Sequence, residues 1–359
     1  MSELVSTLYR DPHQVASLDL PGWDRVIRQA ERADLLANLA LRLEDHGLLP
    51  RVPVAARNHL ESARMIANRH ALAVRWEIKQ IQHALAETRV PIILLKGAAY
   101  LMAGLPAARG RLFHDVDILV PKAALETVEQ HLHWHGWVST HLDAYDQHYY
   151  RTWMHELPPL RHVKRQTVLD VHHTILPPTA RLHPDPGKLL TAARPIEGYE
   201  ALHILAPVDM VLHSATHLFH EGEFTHGLRD LVDLDSLLRH FGVDDSFWSR
   251  LTQRVTELDL MRPLYYALRH TSRLLATPIP THVMQAVQQW GTPPLPLARL
   301  MDALLQRALP PDHPSCNDWA SGLVRWLLYV RSHYLRMPLH LLIPHLLHKG
   351  IRPRLDRSR

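Results

Sequence analysis

The sequence predicts an α+β protein in which a small mixed β-sheet is flanked by helical regions before and after it. Three observations predict this. Apolar residues recur at helical spacing up to about residue 88, short apolar runs of strand length follow from Val90, and helical spacing returns from residue 207. A chain of 359 residues can bury a substantial core, and its 46% hydrophobic and 21% charged residues exclude a mostly disordered chain and a multi-span membrane protein. Cys316 is the single cysteine, which excludes an internal disulfide framework and any multi-cysteine metal site. A formal charge of +4 is too mild to argue for a polyanionic partner, and 29 histidines are too many for each to carry chemistry.

The elements follow in order. Residues 1–88 read as a helical region, in which Ile66, Val74, Ile78, Ile81 and Leu85 form one face of a long helix and Glu77 and Lys79 lie off that face. Residues 89–176 read as a compact α/β core. Val90–Leu95 is a continuous apolar run suited to a buried strand, and Ala98–Ala103 suits a short helix. Phe113–Val120 is a second strand, and Pro121 opens a helix that runs through Trp134, with Gly136 as its stop. Residues 137–142, 147–157 and 167–173 carry enough aromatic and β-branched residues to predict three further strands. Prolines and glycines mark Pro177–Gly198 as a connection. Residues 177–348 then form a helical C-terminal region, with helices over 207–220, 227–240, 246–258, 261–276, 296–309 and 317–335. The basic residues of 349–359 form a loose tail.

The chemistry-bearing run is Asp115-Val116-Asp117. Alternate side chains of a strand share a face, so both carboxylates project together while Val116 and Ile118 project oppositely. Two adjacent carboxylates repel unless a cation or a proton lies between them, and Mg²⁺ is the natural cation. In Thr167–His173, Asp170 and His172 share one face, and Leu169 and Val171 the other. If the two strands are neighbours, Asp170 completes a triad of acids able to hold two metals. Upstream, Lys96-Gly97 sits at a strand-to-helix turn whose free amides attract phosphate. Arg109 and Arg111 precede the acidic pair and could grip phosphate oxygens.

The run LLKGAAYLMAG…ARGRLFHDVDILV, followed by a helix and VLDVHHTIL, resembles the uncharacterised nucleotidyltransferase family of the polymerase-β-type superfamily. Leu95, Lys96 and Gly97 match its Leu-Lys-Gly turn, which stands where most of the superfamily has Gly-Ser. Arg111 matches the preceding arginine, Asp115 and Asp117 the D-x-D, and Asp170 the third acid. The stretches His213–His217 and Leu228–Asp233 match its following helical segment with an Arg-Asp pair. The resemblance covers about residues 85–240. It implies transfer of a nucleoside monophosphate from a nucleoside triphosphate, ATP being the expected one, with release of pyrophosphate. Asp115, Asp117 and Asp170 would hold Mg²⁺ (or Mn²⁺), with Asp170 helping to deprotonate the acceptor. Lys96, Gly97, Arg111 and His172 would seat the nucleotide. The acceptor is open: a small molecule, a protein side chain or an RNA end. Two other classes fit the same residues, a catalytically silent nucleotide-binding or regulatory module and a metal-dependent phosphohydrolase.

Other features favour structural roles. His213, His217 and His220 fall at helical spacing but lack the glutamate of a metalloprotease motif, so packing is their expected fate. Arg229, Asp230 and Asp233 fit either a salt-bridged surface or a site-facing stretch, and Asp235 is expected in solvent. Leu323–Leu347 is interrupted by Arg325, Arg331, Arg336 and Pro338 and is too broken for a spanning helix. It reads as a buried helical hairpin, with peripheral contact to an anionic membrane as the alternative. Met1–Leu20 lacks an apolar run of signal-peptide length, and a cytoplasmic location is the expectation.

Overall fold

A computed structural model describes residues 3–141, 143–222 and 224–344. The chain begins with helices α1 (Val5–Arg10), α2 (Leu20–Arg32), α3 (Leu36–Asp45) and α4 (Val54–Leu85). Asp19 caps α2 by accepting from Gly22 N at 2.8 Å, satisfying an amide that the first turn leaves free. The 32-residue α4 buries Leu60, Ile78, Ile81 and Leu85. Its Glu77 is buried too, although it lies off the apolar stripe. Arg165 donates to both its oxygens at 2.9 Å and the Thr167 hydroxyl at 2.8 Å, which satisfies the buried charge.

The sheet contains β1 (Ile92–Leu94), β2 (Asp115–Leu119), β3 (Trp137–Ser139), β4 (Leu160–His162), β5 (Val168–His172), β6 (Arg194–Pro195) and β7 (Leu202–Ile204), in the order β3-β4-β5-β2-β1-β7-β6. It is mixed: β2/β5 and β1/β7 are parallel, and the other neighbours are antiparallel. Helices α5 (Lys96–Met102) and α6 (Leu125–Trp134) pack against α4. The α+β class with flanking helices is as the sequence predicts.

Three local expectations are corrected. Residues 144–153 form helix α7 (Ala144–Trp153), where a strand over 147–157 was expected. Asp143 accepts from the amides of Tyr145 and Asp146, and this cap overrides the strand preference of the aromatic residues. The strand of this region is β4, after Pro158-Pro159. The connection over Pro177–Gly198 holds helix α8 (Pro186–Ala192) and strand β6, and with β7 it carries the sheet past residue 176.

Helices α9 (Pro207–Thr216), α10 (Gly227–Phe241), α11 (Asp245–Glu257), α12 (Met261–Leu275), α13 (Thr281–Gly291), α14 (Leu295–Ala308) and α15 (Ser321–Arg336) follow, α13 being the one of these seven that the sequence reading missed. A π-helical turn, His217–Glu221, continues α9. Helix α15 is only half buried: Val324 and Leu328 pack inward, whereas Leu323, Trp326, Tyr329 and Val330 are exposed, which departs from a buried hairpin. No helix of the described residues is long and apolar enough to cross a membrane. The tail over 349–359 lies outside the described residues.

Candidate functional site

Strand pairing assembles the acids. Strands β2 and β5 run parallel with Asp117 opposite Asp170 and Leu119 opposite His172, so Asp115, Asp117, Asp170 and His172 share one face of the sheet. Val116, Ile118, Leu169 and Val171 turn to the other face and are buried. Alternation thus separates an acidic face from an apolar one within the same two strands.

Lys96 reaches this face through the end of β1. Leu95 N donates to Asp117 O at 3.0 Å, one step beyond the β1–β2 ladder. Lys96 then adopts φ 45°, a left-handed conformation unusual for a residue with a side chain, and the chain turns into α5. The Lys96 ammonium donates to Asp117 Oδ1 at 2.8 Å, and His172 Nε2 lies 3.0 Å from the same oxygen. His172 Nδ1 lies 3.4 Å from Glu156 Oε2. His172 therefore orients an acid of the sheet.

The three carboxyls respond differently. Burial alone would raise Asp117, which is 3% exposed, but Lys96 and the His172 hydrogen bond outweigh it and hold this carboxyl well below its ordinary range. The charge of Asp117, with burial, raises Asp115. Burial and the charges of Asp117 and Asp115 push Asp170 up to about 7. Asp170 Oδ1 is buried and has no hydrogen-bond partner among the described residues. Carboxyls that share a sheet face and raise one another, one of them with an orphaned acceptor, are a donor set suited to a hard cation, so the residues fit Mg²⁺ or Mn²⁺.

Beside the acids lies a cleft of about 280 Å³, lined by β2, the start of α5, α9 and α10. Arg111 crosses its floor, 11% exposed, and is ion-paired with Asp233 of α10. Its side chain lies directly over Gly97: a Cβ there would stand 2.7 Å from Arg111 Nε and 3.1 Å from Phe113 Cδ1. Gly97 thus admits Arg111. Gly110, at φ 66°, meets the backbone of α3 so closely that a Cβ would lie 2.6 Å from Asn38 N, which fixes the turn leading to Arg111. Arg229 donates to Asp230 at 2.9 Å and to Asp34 at 3.3 Å. Burial raises Asp233 to about 6 against the pull of Arg111. Asp230 is held low against its own burial by Arg229 and His217.

The sequence reading is corrected at three points. Arg109 does not line this cleft; it forms a two-pronged pair with Asp45 of α3 at 2.7 and 3.0 Å. Asp235 is buried instead of solvated, accepting from Arg239 at 2.7 Å and from the Thr277 hydroxyl at 2.6 Å. His213 and His220 are buried away from this cleft, whereas His217 lines it 4.0 Å from Asp230. Glu156 and Asp34 escaped the sequence reading. Neither lies in a recognisable motif, and Asp34 draws its partners His114 and His226 from distant segments at 2.9 and 3.3 Å.

A family described as uncharacterised nucleotidyltransferase matches residues 19–276, most of the chain, and the protein belongs to that family. No curated protein matches the chain. The matched segment contains the three acids, the Lys96-Gly97 turn and the Arg229-Asp230 pair.

Proposed function

We propose that this cleft transfers a nucleoside monophosphate from a nucleoside triphosphate to an acceptor hydroxyl or phosphate and releases pyrophosphate. The observation that carries the reading is the convergence of Asp115, Asp117 and Asp170 on one sheet face beside Lys96. Asp115, Asp117 and Asp170 would hold Mg²⁺ or Mn²⁺. Divalent ions there would supply charge neutralisation for the phosphates and activation of the attacking oxygen.

The chain's own residues have separable tasks. Lys96 sits at the turn where the triphosphate would enter, and its ammonium can pass from Asp117 to a phosphate oxygen without leaving the cleft. The amides that open α5 offer further donors. Asp170, whose buried Oδ1 has no hydrogen-bond partner among the described residues, is suited to take the acceptor's proton there. His172 donates Nε2–H to Asp117 and fixes that carboxylate's rotamer. Arg111 and Arg229 act at one remove: Arg111, paired with Asp233, and Arg229, which reaches Asp34, anchor α10 as the facing wall. The helical region from residue 177 onward, which includes α9 and α10, would then present the acceptor.

The test is incubation with each of the four nucleoside triphosphates, α-labelled, with Mg²⁺ and cell extract as acceptor source. Pyrophosphate release and transfer of label are expected from the wild-type protein and from neither Asp115→Asn nor Asp117→Asn. Release of inorganic phosphate without label transfer would assign the cleft to hydrolysis instead. Metal-dependent nucleotide binding with no turnover would make it a binding module.

A further inference from the structure

A second cavity, of about 420 Å³, lies among the π-helical turn after α9, helix α12, helix α14 and helix α15. It shares no lining residue with the acidic cleft. Two of its walls, α14 and α15, lie beyond the segment matched by the family. Its volume is that of a small-molecule site.

The lining is apolar with an unbalanced charge. Tyr266 and Met301 are buried in its wall, and Leu297 stands at its edge. Arg181, Arg262 and Arg331 face it, no carboxylate lines it, and no carboxylate pairs with these arginines among the described residues. Arg331 donates to Phe219 O at 2.9 Å and lies 5.8 Å from the Tyr266 ring centre. Arg262 Nε is buried without a partner. His220, 3% exposed, lines the same cavity, and neither ring nitrogen has a partner among the described residues. Burial lowers His220 to about 3, so the ring is neutral and offers one N–H. Burial pushes Arg331 down as well, and the charge of Arg262 adds to this. Arg262 also bonds the Tyr266 side chain, but its Nε and the His220 N–H are buried donors with no acceptor among the described residues, which is costly unless a ligand supplies one.

We infer that this cavity binds a small organic anion, an apolar body carrying one carboxylate or phosphate head. The head lies against Arg262, Arg331 and His220, and the body lies against Tyr266, Leu297 and Met301. The inference does not rest on the reading of the acidic cleft.

Calorimetric titration of the full chain with octanoate, octyl phosphate, octanol and inorganic phosphate tests it. Octanoate or octyl phosphate should bind at least about tenfold more tightly than octanol, and inorganic phosphate should bind more weakly than either amphiphile. Arg262→Met should bring the anion to the level of octanol and leave octanol unchanged, and Arg331→Met should do the same. Arg262→Met keeps the assay available if loss of the Phe219 carbonyl bond unfolds the Arg331 variant. Met301→Trp should fill the cavity and abolish both. Equal affinity for octanol and octanoate, absence of binding by the anions, or unchanged octanoate affinity in folded arginine variants would overturn the assignment. Displacement of octanoate by vesicles of anionic phospholipid would overturn the assignment to a free small molecule and place the head on a lipid.

Discussion

Removing one negative charge from the crowded sheet face should stabilise the protein while destroying its activity. In Asp170→Asn the amide keeps the shape of the carboxyl and loses its charge. A carboxyl raised from 3.8 to about 7 in the folded state opposes folding by about 4 kcal/mol once fully ionised. Burial is the larger part of that penalty and repulsion by Asp117 and Asp115 the rest, so about 4 kcal/mol is the upper end of the gain. The sign follows from proton counting. Between 3.8 and about 7 the folded form holds a proton that the unfolded form has released, so stability falls as pH rises through this interval and is lowest above it. The variant lacks this penalty. In EDTA at about pH 8 its melting temperature should exceed wild type by roughly 5–8 °C, at roughly 2 °C per kcal/mol for a chain of this length. By about pH 4 the difference should vanish. Scanning calorimetry at a series of pH values reads both limits. Added Mg²⁺ should raise the melting temperature of the wild-type protein and narrow the gap, because the variant would lack one of the carboxylates proposed to hold the ion. A variant that melts with or below wild type at high pH would show that the ionised Asp170 carries no penalty from burial and its acidic neighbours, and the argument for a cation between the acids would fail.

Asp117→Asn should have the opposite sign. Its carboxylate is held low by Lys96 and His172, so the stability it contributes is present at neutral pH and lost on acidification. The variant should melt lower than wild type by about 2 kcal/mol in denaturant titration. Arg111→Met leaves Asp233 buried and unpaired and should cost about 3–5 kcal/mol, whereas Arg111→Met combined with Asp233→Leu should recover most of it. If the double variant is no better than the single one, Arg111 does not act through Asp233. Gly97→Ala places a Cβ against Arg111 and Phe113 and should cost about 1–3 kcal/mol by urea unfolding; unchanged stability would show that the arginine can move aside freely.

The acidic face was legible in the sequence because strand periodicity alone places Asp115 with Asp117 and Asp170 with His172. Their meeting was not legible, since it depends on β5 lying next to β2 in parallel register, a tertiary fact. The turn at Lys96 could be read from an apolar run ended by Lys-Gly, but its left-handed backbone could not. Residues 144–153 went astray because aromatic residues favour strands locally, and the Asp143 cap decided otherwise. The ion pair of Arg111 was not legible because its partner, Asp233, lies 122 residues away in sequence. Strand β7 was missed for a similar reason: Leu202–Ile204 is too short to stand out until β1 is beside it.

The pairing of the arginines changes what the cleft demands of a nucleotide. Arg111 and Arg229 are already balanced by Asp233 and Asp230, so they bring little net positive charge to a triphosphate. Lys96 is engaged with Asp117, and Asp115 and Asp170 add further negative potential. A bare triphosphate would therefore meet repulsion, and the same acids that repel it would attract divalent ions. Nucleotide affinity and metal concentration should be coupled, each raising the other by the same factor. Fluorescence titration with a labelled ATP should show binding at least about tenfold weaker in EDTA than in Mg²⁺. Lys96→Met should weaken binding in Mg²⁺, through loss of a phosphate contact, and should raise affinity for the metal alone, through release of Asp117. A variant that weakens both would mean that Lys96 serves the architecture of the turn, and equal ATP affinity with and without metal would remove the electrostatic basis for placing divalent ions at these acids.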